Sequence, residues 1–331
     1  HYPLRRQRQM CIRDSSLSLA IRPRECFGLL GVNGAGKSTT FQMLTAHTRP
    51  SGGDAHIAGH SVIGAPDDAR RQVGLCTQHD ALIGRMTAHE HLALFAALRG
   101  LDGAAAAPAL AALIRRVGLD RHAHRTVQTY SGGNKRKLCL AIALVGSPPL
   151  LCLDEPSSGM DAAAKRAMWA AIRTHVAQTG ASAIVTSHSM EEAEALCGRI
   201  GIMVGGRLRC VGSVHRLKSR FGDGYTATVR LRDRTAVDAA RALVASWASA
   251  RGPLARCSVQ EERGTTLILR MPPPAEGSPP ALAALFAELE RARRGAVGID
   301  AYTVSQASLE KVFLRIAESN GDGDAGDARG S

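Results

Sequence analysis

The sequence predicts an α/β domain followed by a smaller α+β domain. Apolar runs such as CFGLL (residues 26–30) and PLLCLD (149–154) are typical of strands buried on both faces of a parallel sheet. Segments with helical spacing alternate with such runs up to about residue 222, as in a parallel sheet covered by helices. Beyond that point the segments are shorter and strand-rich. The alternating stretch Leu17 to Ile21, which precedes CFGLL, also predicts a strand. A chain of 331 residues can form two such domains, each with its own core.

Composition and charge argue against two classes of protein. The chain has 42 Lys and Arg against 29 Asp and Glu, a net charge of +13, but only six of the basic residues are Lys. Excess Arg, Ala and Gly is typical of a GC-rich genome. Basic helix faces such as Lys135, Arg136 and Lys137 are expected to be solvated surface. No aromatic residues are interleaved with the basic ones, as single-stranded nucleic-acid binding prefers, so we expect no nucleic-acid partner. No apolar run approaches the roughly 20 residues that span a bilayer.

The eight cysteines form no CxxC pair and have no spacing with His that suits zinc. We therefore expect them to be small, buried, reduced residues.

The first fourteen residues, HYPLRRQRQMCIRD, have neither helical nor strand periodicity. Their back-translation from about Arg5 to Asp14 resembles a transposon-based sequencing adapter. We therefore expect residues 1–14 to be translated adapter and to lie outside the fold. Removing their four Arg and one Asp lowers the net charge from +13 to +10. The alternative is a native, disordered basic leader.

Residues 31–39, GVNGAGKST, match the phosphate-binding pattern G-x-x-x-x-G-K-[ST] between a predicted strand and a predicted helix. The glycines permit backbone angles and close approaches that a Cβ would obstruct. The loop N–H groups and the helix N-terminus can then cradle phosphates. We expect Lys37 to reach the β- and γ-phosphates and Ser38 to bind Mg²⁺. The candidate nucleotide-binding residues of this loop are Gly31, Asn33, Gly34, Ala35, Gly36, Lys37, Ser38 and Thr39.

Two adjacent carboxylates, Asp154 and Glu155, follow the second apolar run. Strand geometry sends neighbouring side chains to different sides, so the two can take different tasks. We expect Asp154 to hold Mg²⁺ and Glu155 to polarise the attacking water as a general base. Alone, such a pair would be a solvated strand end, but the phosphate loop upstream favours catalysis.

Two further motifs lie between and after these. Ser131, Gly132 and Gly133 begin a helix, where an anion can bind, although alone they would be an ordinary N-cap. His188 follows an apolar strand, at the sheet edge where phosphate-loop proteins gather catalytic groups. Alone, this histidine would be structural.

In this order, with Gln78 after the phosphate loop, the motifs resemble the nucleotide-binding domain of ATP-binding cassette (ABC) proteins. The segments LCTQHDAL, YSGGNKRKLCLAIALVGSPP, LDEPSSGMD and SHSMEEAEALC are similar to the A subfamily, the large eukaryotic lipid exporters. The resemblance runs from about Leu17 to Ala317 and is greater to the second cassette of such a transporter. Tyr130 and Asn134 depart from the general LSGGQ signature, a departure that is usual in this subfamily.

The resemblance implies roles for several residues. Gln78 is then the loop glutamine that senses Mg²⁺ and the membrane coupling helix, and His188 the switch histidine at the γ-phosphate. Ser131, Gly132 and Gly133 become the signature that contacts nucleotide on the opposite cassette, and Ser158–Asp161, including Asp161, the loop that crosses the dimer interface. The aromatic that stacks on adenine should lie on a strand upstream of Ser16, at the position that the adapter-like segment occupies, and Tyr2 is not assigned that role.

The resemblance also implies the function. Residues 15–222 are expected to form an α/β P-loop NTPase of ABC type with a helical signature subdomain. It would bind ATP and Mg²⁺, pair with a second nucleotide-binding domain, and drive transmembrane domains that export lipid or sterol, from the cytoplasmic face of a membrane. The alternatives are the ATPase subunit of an ABC-2 type drug exporter and a soluble, non-transport ABC ATPase.

The second domain, residues 223–318, is predicted to be ferredoxin-like because its elements follow the order β-α-β-β-α-β. The predicted elements are strands 225–231, 257–260, 265–271 and 301–304 and helices 236–248, 281–293 and 308–317. The segment SQASLEKVFLRIA (305–317) resembles the end of the regulatory domain of the A subfamily; the alternative is an amphipathic helix and no more. A proline-rich connector (271–280) and a disordered Gly/Asp-rich tail (319–331) complete the prediction.

Overall fold

A computed structural model describes residues 17–222, 224–250, 252–272, 281–295, 297–306 and 308–318. The predicted adapter, the tail and most of the proline-rich connector lie outside these residues. The chain divides into two compact units, the first ending at Ser213 and the second beginning at Val214. The eight-residue helix Val214–Phe221 therefore groups with the second unit, whereas the sequence analysis places the domain boundary after residue 222. This helix packs against the helix Leu309–Glu318, the last one in the described residues.

The first unit contains a six-stranded sheet, a small two-stranded sheet and helices. Its strands are β1 (Cys26–Gly31), β2 (His56–Ile57), β3 (His60–Ser61), β4 (Val73–Cys76), β5 (Leu150–Asp154), β6 (Ser182–Thr186), β7 (Arg199–Val204) and β8 (Arg207–Ser213). Its α-helices are α1 (Lys37–Leu44), α2 (Pro66–Arg71), α3 (Ala88–Leu98), α4 (Gly103–Arg116), α5 (Gly132–Leu144), α6 (Ala162–Thr179) and α7 (Met190–Leu196). Two 3₁₀ turns lie at Asp120–His122 and Val127–Thr129.

The order of strands in the main sheet is β4-β5-β6-β1-β7-β8. All of these pairs are parallel except β7 with β8, which is an antiparallel edge. All six residues of the central strand β1 are buried. The carboxyl ends of β4, β5, β6 and β1 therefore meet along one edge of the sheet, and in open α/β sheets that edge is where ligands bind.

One predicted strand is absent. Leu17, Leu19 and Ile21 pack against the core cluster around Phe27, as their alternation suggests. Residues 17–22 nevertheless have no strand assignment. A side chain, and not a neighbouring strand, supplies one of the hydrogen bonds to this segment: the Ser182 hydroxyl donates to the Arg22 carbonyl at 2.9 Å. The prediction was wrong because alternation reports an apolar face, whereas a strand also requires a backbone partner.

The cysteines in the described part of the chain are free thiols, and all but Cys210 are buried. Burial raises the pKa of Cys76 to about 11, so this thiol is protonated and inert at neutral pH. None of the described helices is both long and apolar enough to cross a membrane.

The second unit contains a four-stranded antiparallel sheet with the order β10-β11-β9-β12. Its strands are β9 (Tyr225–Leu231), β10 (Ser258–Arg263), β11 (Thr266–Met271) and β12 (Ile299–Gln306), and its helices are α8 (Val214–Phe221), α9 (Ala236–Ser249), α10 (Leu282–Arg294) and α11 (Leu309–Glu318). Strands β9 and β10 are parallel with β11 between them, which is the split β-α-β arrangement of a ferredoxin-like fold.

The core of this unit lies between the sheet and helices α9 and α10. Val229 and Leu267 from the strands pack with Trp247 and Leu289 from the helices, and all four are buried. Strand β12 is longer than predicted because it pairs with β9 from Ile299 to Gln306. Cross-strand pairing thus extends a strand beyond the residues whose own pattern indicates it.

A histidine is buried between two helices of the first unit. His175 of α6 is fully buried, and its Nδ1 accepts a hydrogen bond at 3.2 Å from Arg116, the last residue of α4. The Nε2 atom therefore carries the proton, and it is buried with no partner among the described residues. Burial, together with the Arg116 charge, lowers the pKa of His175 to about 4.

We expect the first unit to lose stability as the pH falls from 6.5 towards 4. The unfolded chain takes up a proton near pH 6.5, whereas the folded state holds His175 neutral until about pH 4, so protonation favours unfolding across this window. Below pH 4 this contribution levels off. Thermal melting at pH 7 and pH 5 should show a fall in midpoint that is several degrees smaller for His175→Gln than for the wild type. The exposed His47→Gln should keep the wild-type fall; equal falls for wild type and His175→Gln would contradict the assignment.

Candidate nucleotide-binding site

The topology brings most of the predicted site residues to one edge of the sheet. The phosphate loop follows β1, Asp154 ends β5 with Glu155 directly after it, and His188 lies two residues after β6. Gln78 lies two residues after β4. Because β4, β5, β6 and β1 are consecutive neighbours, these groups occupy adjacent strand ends.

The phosphate loop has a shape that its small residues permit. A Cβ on Gly31 would lie 2.6 Å from the Met203 carbonyl oxygen and 2.8 Å from the Ala35 Cβ, so only glycine fits. Gly36 precedes α1 with a φ of 103°, a left-handed conformation that glycine adopts readily. The Ala35 carbonyl accepts a hydrogen bond from the Gly206 N–H at 3.0 Å, which ties the loop to the turn between β7 and β8.

Lys37 is buried within this loop. Its Nζ donates to the carbonyls of Gly31 at 2.6 Å and Val32 at 3.1 Å. Burial lowers the pKa of Lys37, while the charges of Glu155 and Asp154 act in the opposite direction. The direct hydrogen-bond partners of the ammonium are neutral oxygens, so an anion bound in the loop would supply a closer counter-charge.

Glu155 is held in a strained conformation beside His188. Its φ is 48°, a left-handed value that costs energy for a residue with a Cβ. Its N–H donates to the Thr186 carbonyl at 3.1 Å, which holds the backbone in place. The Glu155 carboxylate lies 2.6 Å from the His188 Nε2, with side-chain exposures of 14% and 47% respectively. Strain of this kind is typical of functional sites.

The magnesium ligands predicted from sequence are oxygen donors. Ser38 lies in the first turn of α1 and is exposed, and Asp154 accepts a hydrogen bond from the Thr186 hydroxyl through Oδ1. Mg²⁺ prefers hard oxygen ligands and commonly takes only one or two from protein, the rest coming from phosphate and water. A hydroxyl from the start of α1 and a carboxylate at the end of β5, both at the same edge of the sheet, therefore fit this ion.

The segment around Gln78 is joined to the carboxylates by Arg136, a residue whose role the sequence analysis missed. The cluster Lys135 to Lys137 was interpreted as a solvated basic face. For Arg136 this was wrong, because its exposed fraction is 5%. The guanidinium donates to the carbonyls of Thr77 (2.6 Å), Gln78 (3.1 Å), Asp154 (3.1 Å), Glu155 (2.9 Å) and Pro156 (3.3 Å) and to the Asp80 carboxylate (3.3 Å).

Helical spacing contained the missed signal. Arg136 lies three and four residues before Cys139 and Leu140 of α5, both of which are buried, so all three share a face. The run of three basic residues hid this periodicity. The side chain of Gln78 itself is exposed, and its backbone carbonyl makes the contact with Arg136.

The signature residues and Asp161 lie at two other helix starts. The Ser131 hydroxyl accepts from the Asn134 N–H at 3.3 Å and caps α5. Asp161 caps α6 by accepting from the N–H groups of Ala163 and Ala164, and these bonds, the second above all, lower its pKa. Within this chain both are helix caps. Their contact with a nucleotide on an opposite cassette stays a prediction.

A cavity of about 520 Å³ lies beside the phosphate loop. It is lined by residues that include Leu17, Ser18, Gly36, Thr39 and Met43. None of the described lining residues is aromatic. The adenine-stacking aromatic that the resemblance places upstream of Ser16 lies outside the described residues.

Solved structures share this fold. The ATP-binding subunit of an ABC transporter is 30% identical, with a TM-score of 0.57, over 62% of this chain and 85% of that one. The ATP-binding cassette MJ0796, in a dimeric post-hydrolysis state with ADP and Pi, is 22% identical, with a TM-score of 0.55, over 59% of this chain and 88% of that one. The fold and the strand-end groups thus define an ATP-binding cassette domain.

The chain belongs to the ABC transporter family, whose model matches residues 15–158. ATP-binding cassette sub-family A member 7 of Rattus norvegicus is 46% identical over 94% of this chain and 14% of its own length. The phospholipid-transporting ATPase ABCA3 of Homo sapiens is 42% identical over 94% of this chain and 18% of its own length. The predicted resemblance to the A subfamily is confirmed. The chain spans less than a fifth of each of these two relatives.

We expect Arg136→Lys to destabilise the first unit by about 2 kcal/mol or more, because an ammonium cannot reach all the oxygens that the guanidinium fork reaches. Buried carbonyls that are left without a hydrogen-bond donor lower the free energy of unfolding, because the cost of removing them from water is no longer offset. Urea denaturation measures the difference. The neighbouring, partly exposed Lys135→Met should change stability by no more than about 0.5 kcal/mol. Equal stability of Arg136→Lys and the wild type would show that the fork is dispensable.

Proposed function

We propose that this chain is the ATP-hydrolysing engine of a membrane transporter. The main observation behind this proposal is the 2.6 Å contact between the Glu155 carboxylate and the His188 Nε2. These residues follow the neighbouring strands β5 and β6, and β6 lies next to β1, which leads into the phosphate loop. A partly exposed carboxylate that is oriented by a histidine has the position of a general base for water. The names of the relatives, which are phospholipid-transporting ATPases, support water as the nucleophile that this base activates.

The loop N–H groups and Lys37 bind the phosphates. On binding, the Lys37 ammonium exchanges its contacts with the Gly31 and Val32 carbonyls for contacts with phosphate oxygens. Ser38, Gln78 and Asp154 would hold Mg²⁺, which when bound neutralises charge on the phosphates. Placing the reactants in this way is the main source of catalysis in phosphoryl transfer.

Glu155 then acts on the water. As the water oxygen forms its bond to the γ-phosphorus, a proton moves to the Glu155 carboxylate and the bond from phosphorus to the β-phosphate oxygen breaks. His188 orients the carboxylate through Nε2 and lies beside the γ-phosphate. Thr186 and Arg136 hydrogen-bond to the backbone of Glu155 and so fix the position from which its side chain extends.

A second cassette completes each site in this proposal. Ser131, Gly132 and Gly133 present the N-terminus of α5, and residues 131 and 132 are exposed, so they are accessible to a nucleotide held by an opposite cassette. Asp161, also exposed, lies beside that interface. The dimeric form reported for MJ0796 supports this arrangement.

The cargo we propose is lipid, moved by transmembrane domains at whose cytoplasmic face the cassette lies. Support comes from the relatives, since ABCA3 and ABCA7 of Homo sapiens are both named as phospholipid-transporting ATPases. Their similarity extends into the second unit, as it covers 92% or more of this chain, which disfavours a drug exporter or a soluble ATPase. We assign residues 223–318 a regulatory role because the segment SQASLEKVFLRIA (305–317) resembles the end of the regulatory domain of the A subfamily.

We expect Glu155→Gln to lower kcat for ATP hydrolysis about 100-fold or more, because an amide cannot accept the proton from water. Binding of a fluorescent ATP analogue should persist, since Lys37 and the loop are unchanged. Both are measured on the complete gene product that contains this chain. The exposed Glu191→Gln is the matched control and should keep wild-type turnover. Undiminished hydrolysis in Glu155→Gln would remove Glu155 from the role of base.

We expect ATP-dependent movement of fluorescent phospholipid in proteoliposomes that contain the complete gene product. Movement should stop in Glu155→Gln, because hydrolysis drives it. Hydrolysis that is stimulated by a hydrophobic drug and not by phospholipid would support the drug-exporter alternative. Hydrolysis without any movement of either would support a non-transport ATPase.

A further inference from the structure

A buried carboxylate lies behind the Glu155–His188 pair, and the mechanism above does not use it. We propose that Glu192 is a positioning residue that holds the segments carrying Glu155 and His188 in their working geometry. The inference rests on the proposed hydrolysis and deepens it.

Glu192 of α7 is enclosed, with an exposed fraction of 2%. Its Oε1 accepts hydrogen bonds from the Ser157 hydroxyl at 2.6 Å and from the Trp169 Nε1 at 3.0 Å. Its Oε2 accepts a hydrogen bond from the Ser187 hydroxyl at 2.5 Å. All three described donors are neutral. Burying a carboxylate is costly, and here hydrogen bonds offset that cost at both oxygens.

The two serines connect this carboxylate to the two halves of the site. Ser157 lies two residues after Glu155, and Ser187 lies directly before His188. Both serines are buried. The Glu192 carboxylate therefore joins the segment that follows β5 to the segment that follows β6 through buried serines. The more exposed Glu155–His188 contact joins the same two segments. A change at Glu192 would release both segments together.

The network also favours one direction for the Ser187 hydroxyl proton. The Ser187 Oγ accepts from the Ser189 N–H at 2.9 Å and has two possible acceptors for its own proton, the Glu192 Oε2 at 2.5 Å and the Ser189 carbonyl at 3.4 Å. The carboxylate is nearer and charged, so it is the stronger acceptor. Trp169 of α6 is buried and holds Oε1 from a third element. The position of the carboxylate is thus determined from α6, from β5 and from β6.

A local capping role does not account for Glu192. Ser189 is the N-cap of α7 and Glu192 is its N3 residue, the spacing of a capping box in which the glutamate would bond back to the N-cap N–H. The Ser189 N–H instead donates to Ser187, and the Glu192 carboxylate bonds to Ser157, Ser187 and Trp169. The side chain is directed away from its helix end and towards the site.

The test compares three variants of the complete gene product. We expect Glu192→Ala to lower kcat for ATP hydrolysis about tenfold or more while the KM for ATP changes no more than about twofold, because displaced reacting groups slow the chemical step. Glu192→Gln should retain kcat within about threefold. Its oxygen can keep Ser157 and Trp169, and its amide can donate to Ser187. Exposed Glu191→Ala is the control and should match the wild type.

Wild-type kcat in a folded Glu192→Ala would overturn the proposal. So would a Glu192→Gln that is as impaired as Glu192→Ala, because that result would indicate that the charge matters rather than the hydrogen bonds. If Glu192→Ala does not fold, the pair Ser157→Ala and Ser187→Ala decides, because it removes the same hydrogen bonds and should lower kcat with little change in KM. Wild-type kcat in that pair would also contradict the proposal. Glu155→Gln in the same assay tests the proposed hydrolysis separately.

Discussion

The pairing of the buried strand β1 with β6 on one side and β7 on the other is the constraint on which the first unit depends. Because β5 and β4 extend the sheet beyond β6 in the same direction, four strands end at a common edge. The phosphate loop, the two carboxylates and the histidine each follow a different strand by two residues or fewer. The strand order therefore brings these groups close together, and short loops are sufficient to keep them at the edge of the sheet.

Short loops at a sheet edge carry backbone carbonyls and side-chain hydroxyls that need partners when they are buried. Two buried charged side chains supply these partners in different ways. Arg136 donates to five carbonyls on the loops after β4 and β5, and Glu192 accepts from hydroxyls on the segments after β5 and β6. Glu155 lies on a segment that both side chains contact. The left-handed backbone conformation of Glu155 is thus maintained by contacts on both of these side chains, which offset its conformational strain.

The second unit is built on a different pattern of strand pairing. Its sheet is antiparallel, and its order places β9 between β11 and β12, so each strand pairs with a neighbour that is distant in sequence or joined by a hairpin. Helices α9 and α10 cover the core of this sheet with residues such as Trp247 and Leu289. The similarity to the A-subfamily relatives covers this unit as well as the cassette.

Local pattern in the sequence alone determined the element types, the phosphate loop, the carboxylate pair and the histidine, since each depends on residues close together in the chain. It also determined the ferredoxin-like order of the second unit, although β12 is longer than its own residues indicated and the segment 17–22 is not a strand. Helical spacing places Arg136 on the buried face of α5, but only the tertiary structure decided which oxygens its guanidinium contacts and that Glu192 bonds away from its helix cap. Both sets of partners are contributed by segments distant in the chain, and periodicity within one helix does not contain that information.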